Sequence, residues 1–174
     1  MRKLLVPIDS EEGMDRAVNK ASILAEAFNS EVRIVYIIPP LPYEVRNKLE
    51  VNSVSTMGDM VGMLMSSNSY ESIRDDMAGS LKKIHNKMLE IKKELMDRGL
   101  NVEAYIYEGK LEDSILEEAM AYQPDLIIMN SQVHSYRFKS MIGGVYSTII
   151  RNVSCPVMVI PPVKSNTQRK RKSV

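Results

Sequence analysis

Three places along the chain carry residues that could do chemistry on a phosphorylated ligand. They are Asp9 in the run Val6-Pro7-Ile8-Asp9-Ser10, Asn130-Ser131 behind the apolar run Leu126-Ile-Ile-Met129, and the pair Gly143-Gly144. A carboxylate at Asp9 could hold Mg²⁺ or a ribose hydroxyl, and it could equally cap a following helix. Glycines at a helix start let backbone N–H groups approach a phosphate, and the helix dipole adds partial positive charge. The same pair also reads as a plain turn. Arg137 and Lys139 could supply further charge at this loop or lie in solvent. His134 is the one candidate acid or base there, but no carboxylate or nucleophile can be assigned to it, so it reads as a loop residue. His85 reads as an exposed helix residue, since no second ligand completes a metal site around it.

These residues can act together only if the fold gathers them at one edge. Strand and helix patterns alternate along the chain, as in a parallel sheet covered by helices on both faces. Lys3 to Ile8 is a short apolar run, followed by Glu12 to Phe28 with Ala17, Ala21, Leu24, Ala25 and Phe28 at helical spacing. Glu31 to Ile38 is a β-branched strand stopped by Pro39-Pro40. Ser72 to Arg98 is a long helix with Ile73, Met77, Leu81, Ile84, Met88, Ile91, Leu95 and Met96 on its buried face, closed by Gly99. Asn101 to Tyr107 is a third strand, Glu112 to Tyr122 a helix, Pro124 to Met129 a central strand, Gly143 to Asn152 a helix and Pro156 to Ile160 a fifth strand. The expected fold class is α/β: one open five-stranded parallel sheet of Rossmann-like form. Ligands of such sheets bind beyond the carboxyl ends of the strands, where the strand order reverses.

The 174 residues suffice for one domain, expected over 1–163 with an insertion at 41–70 after the second strand. Within the insertion Met57, Met60, Val61, Leu64 and Met65 fall on one face of a short helix, either folded onto the domain or open as an adaptable contact surface. Residues 164–174 are basic and almost without apolar side chains, and they read as a disordered, solvated tail, with contact to nucleic acid or an acidic partner as the functional alternative. With 23 Lys+Arg against 22 Asp+Glu, no global field steers the protein to nucleic acid or an anionic membrane. The lone Cys155 cannot form an internal disulfide, which suits a reducing cytoplasm, and it reads as a buried small hydrophobe.

Val6-Pro7-Ile8-Asp9, Glu108-Gly109, Asp125-Leu-Ile-Ile-Met129 and Cys155-Pro-Val-Met-Val-Ile160 together resemble the universal stress protein pattern, in order and spacing over nearly the whole chain. The resemblance implies an adenine nucleotide alpha hydrolase-like sheet and a regulatory, stress-response role. It also implies a homodimer formed through the last strand, Val157 to Ile160. Nucleotide-binding members carry Gly-x-x-Gly-x9-Gly-Ser/Thr after the fourth strand. Those positions fall here on Asn130, Val133, Gly143 and Gly144, so one glycine is kept and the hydroxyl is missing. Val145 follows in the same stretch, and Tyr146 stands where Ser or Thr is common. The family's adenosine pocket maps onto Pro7, Ile8 and Asp9, with Ile37 and Met129 as apolar walls. The implied ligand is therefore AMP or ATP with Mg²⁺ near Asp9, the phosphates held more weakly than by an intact loop.

A nucleotide-acting enzyme, hydrolysing ATP slowly in the same crevice, is the alternative. Against it, the chain has no His-x-Gly-His, no Ser-Gly-Gly-x-Asp-Ser and no Gly-x4-Gly-Lys. A phospho-accepting receiver would need an acidic cluster at the first strand and a lysine after the fifth, and neither is present.

Overall fold

The computed structural model describes residues 1–11, 14–40, 71–131 and 142–161. The 41–70 insertion with its methionine stripe, the loop carrying Val133, His134, Arg137 and Lys139, and the basic tail lie outside the described residues. In chain order the elements are β1 (Lys3–Ile8), α1 (Met14–Phe28), β2 (Glu31–Ile38), α2 (Glu71–Asp97), β3 (Val102–Glu108), α3 (Leu111–Tyr122), β4 (Leu126–Asn130), α4 (Ile142–Asn152) and β5 (Val157–Ile160). The strands form one parallel sheet in the order β3-β2-β1-β4-β5.

Alternation along each strand divides the core into two layers, because successive side chains point to opposite faces. Leu4, Val6, Ile8, Val32, Ile34, Tyr36 and Ile128 meet Ala17, Ala21 and Ala25 of α1 and Met88, Ile91 and Leu95 of α2. Leu5, Val35, Ile37, Ile127 and Met129 meet Ile115 and Tyr122 of α3 and Ile149 of α4. Both faces of β1 and β4 are thus covered, which is why their sequences run apolar without alternation. The three alanines let α1 lie close on the sheet.

Three helix ends turn in the left-handed region. Gly99 (φ +82) ends α2, where the Leu100 amide reaches back to the Leu95 carbonyl at 3.1 Å, a Schellman closure. Asn29 (φ 51) ends α1 in the same way, with the Ser30 amide 3.0 Å from the Ala25 carbonyl. Gln123 (φ 52) ends α3 without glycine's freedom. Two residues expected on buried stripes are exposed instead: Met96 at 53% and Phe28 at 55%. Met96 follows Leu95, so a helical step of about 100° carries it off the buried stripe, and Phe28 is the last residue of α1.

An ion-pair cluster packs α3 against the β2–β3 edge. Arg33 donates from Nε to Glu103 Oε2 at 2.8 Å and from Nη1 to Glu118 Oε1 at 2.8 Å. Its guanidinium lies 3.9 Å from the Tyr122 ring centroid and 5.2 Å from that of Tyr105, a stacked arrangement lysine could not reproduce. Burial by itself would lower the Arg33 pKa, but its bonds to Glu118 and Glu103 outweigh that and raise it. β3 contributes the pair Tyr105 and Tyr107, stacked with centroids 6.0 Å apart.

Candidate functional site

The strand order switches between β1 and β4. β1 and β4 are paired at Leu4↔Leu126 and Leu5↔Ile127, and the ladder stops there. By contrast β1 stays paired with β2 out to Ile8↔Tyr36, and β4 with β5 out to Asn130↔Ile160. The Asp125 amide donates to the Lys3 carbonyl, so alternate residues Lys3, Leu5 and Pro7 turn their backbone groups toward β4, and Pro7, with no N–H to donate, interrupts the ladder. Beyond the strand ends, the chain leaves β1 toward α1 on one face and leaves β4 toward α4 on the other. A crevice between two strand exits is where open parallel sheets bind ligands.

Of the residues expected to do chemistry, Asp9, Asn130, Ser131 and the glycine pair lie at this edge of the sheet. Asp9 is exposed directly after β1, with Ser10 half-buried beside it, and both have polar partners. Asn130 ends β4, and its carbonyl accepts the Tyr146 hydroxyl at 2.6 Å. The Ser131 amide donates to the Ile160 carbonyl at 2.8 Å, so β5 holds the β4 exit from one side and Tyr146 ties it to α4. Gly143 and Gly144 are the second and third residues of α4, where backbone N–H groups have no carbonyl partner within the helix. A Cβ on Gly144 would meet nothing within 4 Å, and its φ is not in the left-handed region. Among the described residues, nothing requires glycine at position 144.

The apolar residues of the expected pocket are divided by the sheet. Ile37 and Met129 lie together on the α3–α4 face with Val145 and Tyr146 packed against them, and both are almost wholly buried. Ile8 points to the other face, into the layer with Val6 and Tyr36. Pro7, its neighbour on β1, is also buried. Val133 of the expected phosphate loop is outside the described residues. The backbone at Pro7 to Asp9 thus reaches the carboxyl edge, while the Ile37 and Met129 side chains are buried under one face of the sheet and Ile8 under the other.

Tyr36 was not among the expected site residues. It lies opposite Ile8 across the β1–β2 ladder, and burial raises its pKa, with the Glu11 and Asp9 carboxylates adding to the effect. Only the strand register brings it under the Asp9 turn, and register is invisible in a single strand's sequence. Among the described residues no three His, Cys, Asp or Glu side chains gather as a metal-binding group. Cys155, expected to be buried, is half-buried, and what burial it has pushes its thiol pKa up. No helix among the described residues is long and apolar enough to cross a membrane.

Comparison with known proteins places this geometry. The family model described as the universal stress protein family matches residues 1–161. A universal stress protein of Methanocaldococcus jannaschii is 24% identical over 163 residues, covering 94% of this chain and 84% of that protein. Among solved structures, the universal stress protein UspA from Lactobacillus plantarum superposes with a TM-score of 0.64 at 15% identity, covering 91% of this chain and 97% of its own. A universal stress protein in complex with cAMP superposes with a TM-score of 0.59 at 18% identity, covering 91% and 96%.

Proposed function

This chain belongs to the universal stress protein family, and we propose that it is a regulatory module that binds an adenine nucleotide, AMP in preference to a tightly held ATP, in the crevice between the β1 and β4 exits. The observation that carries this reading is the switch of strand order between β1 and β4. It sets the Asp9 turn and the amino end of α4 at the same carboxyl edge of the sheet, on either side of the two strand exits. Gly144, open around its Cα, allows a ligand atom to come close to the backbone. The fold neighbour crystallised with cAMP supports an adenine nucleotide as the ligand class. Asn130 and Val133, standing where nucleotide-binding relatives keep glycine, argue for weak contact along a triphosphate, since each lost hydrogen bond removes about 1 kcal/mol. Magnesium would arrive on the phosphates with Asp9 supplying one oxygen, the kind of donor set Mg²⁺ accepts.

The module works as a homodimer joined through β5. That strand is a sheet edge, and its four apolar residues, Val157 to Ile160, are all partly or largely exposed. Ile150 of the preceding helix is also 54% exposed. An apolar edge strand is a template for pairing with its own copy. Val159→Lys should give a monomer by sedimentation, whereas an unchanged dimer would place the interface elsewhere.

The test of the binding reading is calorimetric titration with AMP, ADP and ATP, with and without Mg²⁺. AMP should bind, and ADP and ATP should bind no more tightly than AMP. No binding of any of the three would overturn the reading. Much tighter MgATP binding would contradict the preference for AMP, and release of ADP during the titration would favour a hydrolase.

A further inference from the structure

α1 begins shortly after the Asp9 turn, and Arg16 is the third residue of that helix. Its side chain does not stay on the helix. Nη1 of Arg16 donates to the Pro161 carbonyl, 2.6 Å away, just past the end of β5. Since β4 lies between β1 and β5, the side chain runs along the carboxyl edge of the sheet past the β4 exit. That is the edge that also carries Asp9, Asn130 and the amino end of α4.

The charge of Arg16 differs in one respect from that of Arg33 and Arg98, which also reach across the fold. Arg33 is neutralised by Glu103 and Glu118, and Arg98 by Glu26. Arg16 forms no ion pair with any described residue, and its partner is a neutral carbonyl. A guanidinium carries five N–H donors in a planar fork suited to phosphate oxygens, and one donor is used here. The bond to Pro161 therefore holds a cation at the mouth of the crevice without cancelling it. We infer that Arg16 is a phosphate-contacting residue of this crevice, taking the anionic end of a bound nucleotide with the donors left free by the Pro161 carbonyl. The inference rests on reading the crevice as a nucleotide site. It replaces, with one charged side chain, part of what the altered loop lacks.

Titration calorimetry on the full chain with adenosine, AMP and ADP tests it, comparing the wild type with Arg16→Gln and Arg16→Lys. R16Q should weaken AMP and ADP by about tenfold or more, the scale of one charge-assisted contact, and leave adenosine unchanged. R16K, which keeps the charge, should fall between R16Q and the wild type for AMP. Parallel loss of adenosine and AMP in R16Q would reduce Arg16 to a prop for the β5 exit, and unchanged AMP binding would remove it from the site; either overturns the inference alone. A wild type that binds neither nucleoside nor nucleotide overturns the crevice reading, and this inference with it.

Discussion

Replacing Gly109 by alanine probes how closely the carboxyl edge is packed beside the crevice. The Gly109 amide donates to the Ile38 carbonyl at 2.9 Å, tying the β3 exit to the β2 exit. Its φ is not in the left-handed region, so an added side chain is opposed by space rather than by backbone conformation. A Cβ built there would lie 2.5 Å from Ser114 Oγ and 3.9 Å from Ser114 Cβ. The first contact is roughly 1 Å inside ordinary van der Waals separation, and the second is comfortable. Gly109→Ala should cost about 1 kcal/mol, the low end of the range for overpacking, because the clashing atom is the rotatable tip of a side chain. Ser114→Ala should cost far less, and in its background the Gly109→Ala penalty should largely vanish. Urea unfolding of the four proteins at constant m gives the coupling energy directly. A penalty that persists undiminished without the Ser114 hydroxyl would refute the contact as its cause.

Three further outcomes follow from the packing. Glu118→Ala should destabilise by about 2 kcal/mol, less than a fully buried pair because Arg33 is partly exposed and keeps Glu103; a change within error in urea unfolding would contradict it. Leu95→Ala should cost about 2–5 kcal/mol and Met96→Ala less than about 0.5, since Leu95 is 2% exposed and its neighbour 53%; comparable losses would contradict the facing of α2. Burial first, then Glu118, pushes the Tyr107 hydroxyl up to about 12, and burial also raises Tyr36 and Tyr122. The folded chain thus holds these protons more tightly than the unfolded chain, whose tyrosines titrate near 10. The Tyr107 contribution is fully present below pH ~10 and is lost as pH rises toward about 12, and those of Tyr36 and Tyr122 also fall as pH rises above ~10. The urea midpoint should fall over that window with tyrosinate absorbance lagging behind free tyrosine, and a flat midpoint would contradict it.

The alternation of apolar runs and helical stripes was enough to read β1 and β2 to the residue and the remaining described elements to within two residues at either end. Gly99 announced its left-handed turn because glycine alone bears φ > 0 freely. Asn29 and Gln123 take the same conformation with weaker or no sequence sign, because the turn there is imposed by packing. What could not be read was anything that depends on register or on which face a strand end presents. Arg33 meets Glu103 because β2 and β3 align at those positions, and it meets Glu118 from a helix 85 residues on. Ile8 and Ile37 were both read into the adenosine pocket, Ile37 as an apolar wall, yet their positions on the two strands send them to opposite faces. Met96 shows the same limit on a helix, one residue past the true stripe. Arg16 gave no signal at all, since its reach to Pro161 depends on β5 lying two places from β1 in the sheet.

Backbone amide shifts recorded by NMR during an AMP titration would locate the ligand on the chain. Binding beyond the β1 and β4 exits should move Asp9, Ser10, Asn130, Ser131, Gly143 and Gly144 together, in a saturable manner and with one affinity. Shifts confined to the opposite, amino edge around Arg2, Glu31 and Asp125, or no saturable shifts at all, would contradict a nucleotide site between the β1 and β4 exits.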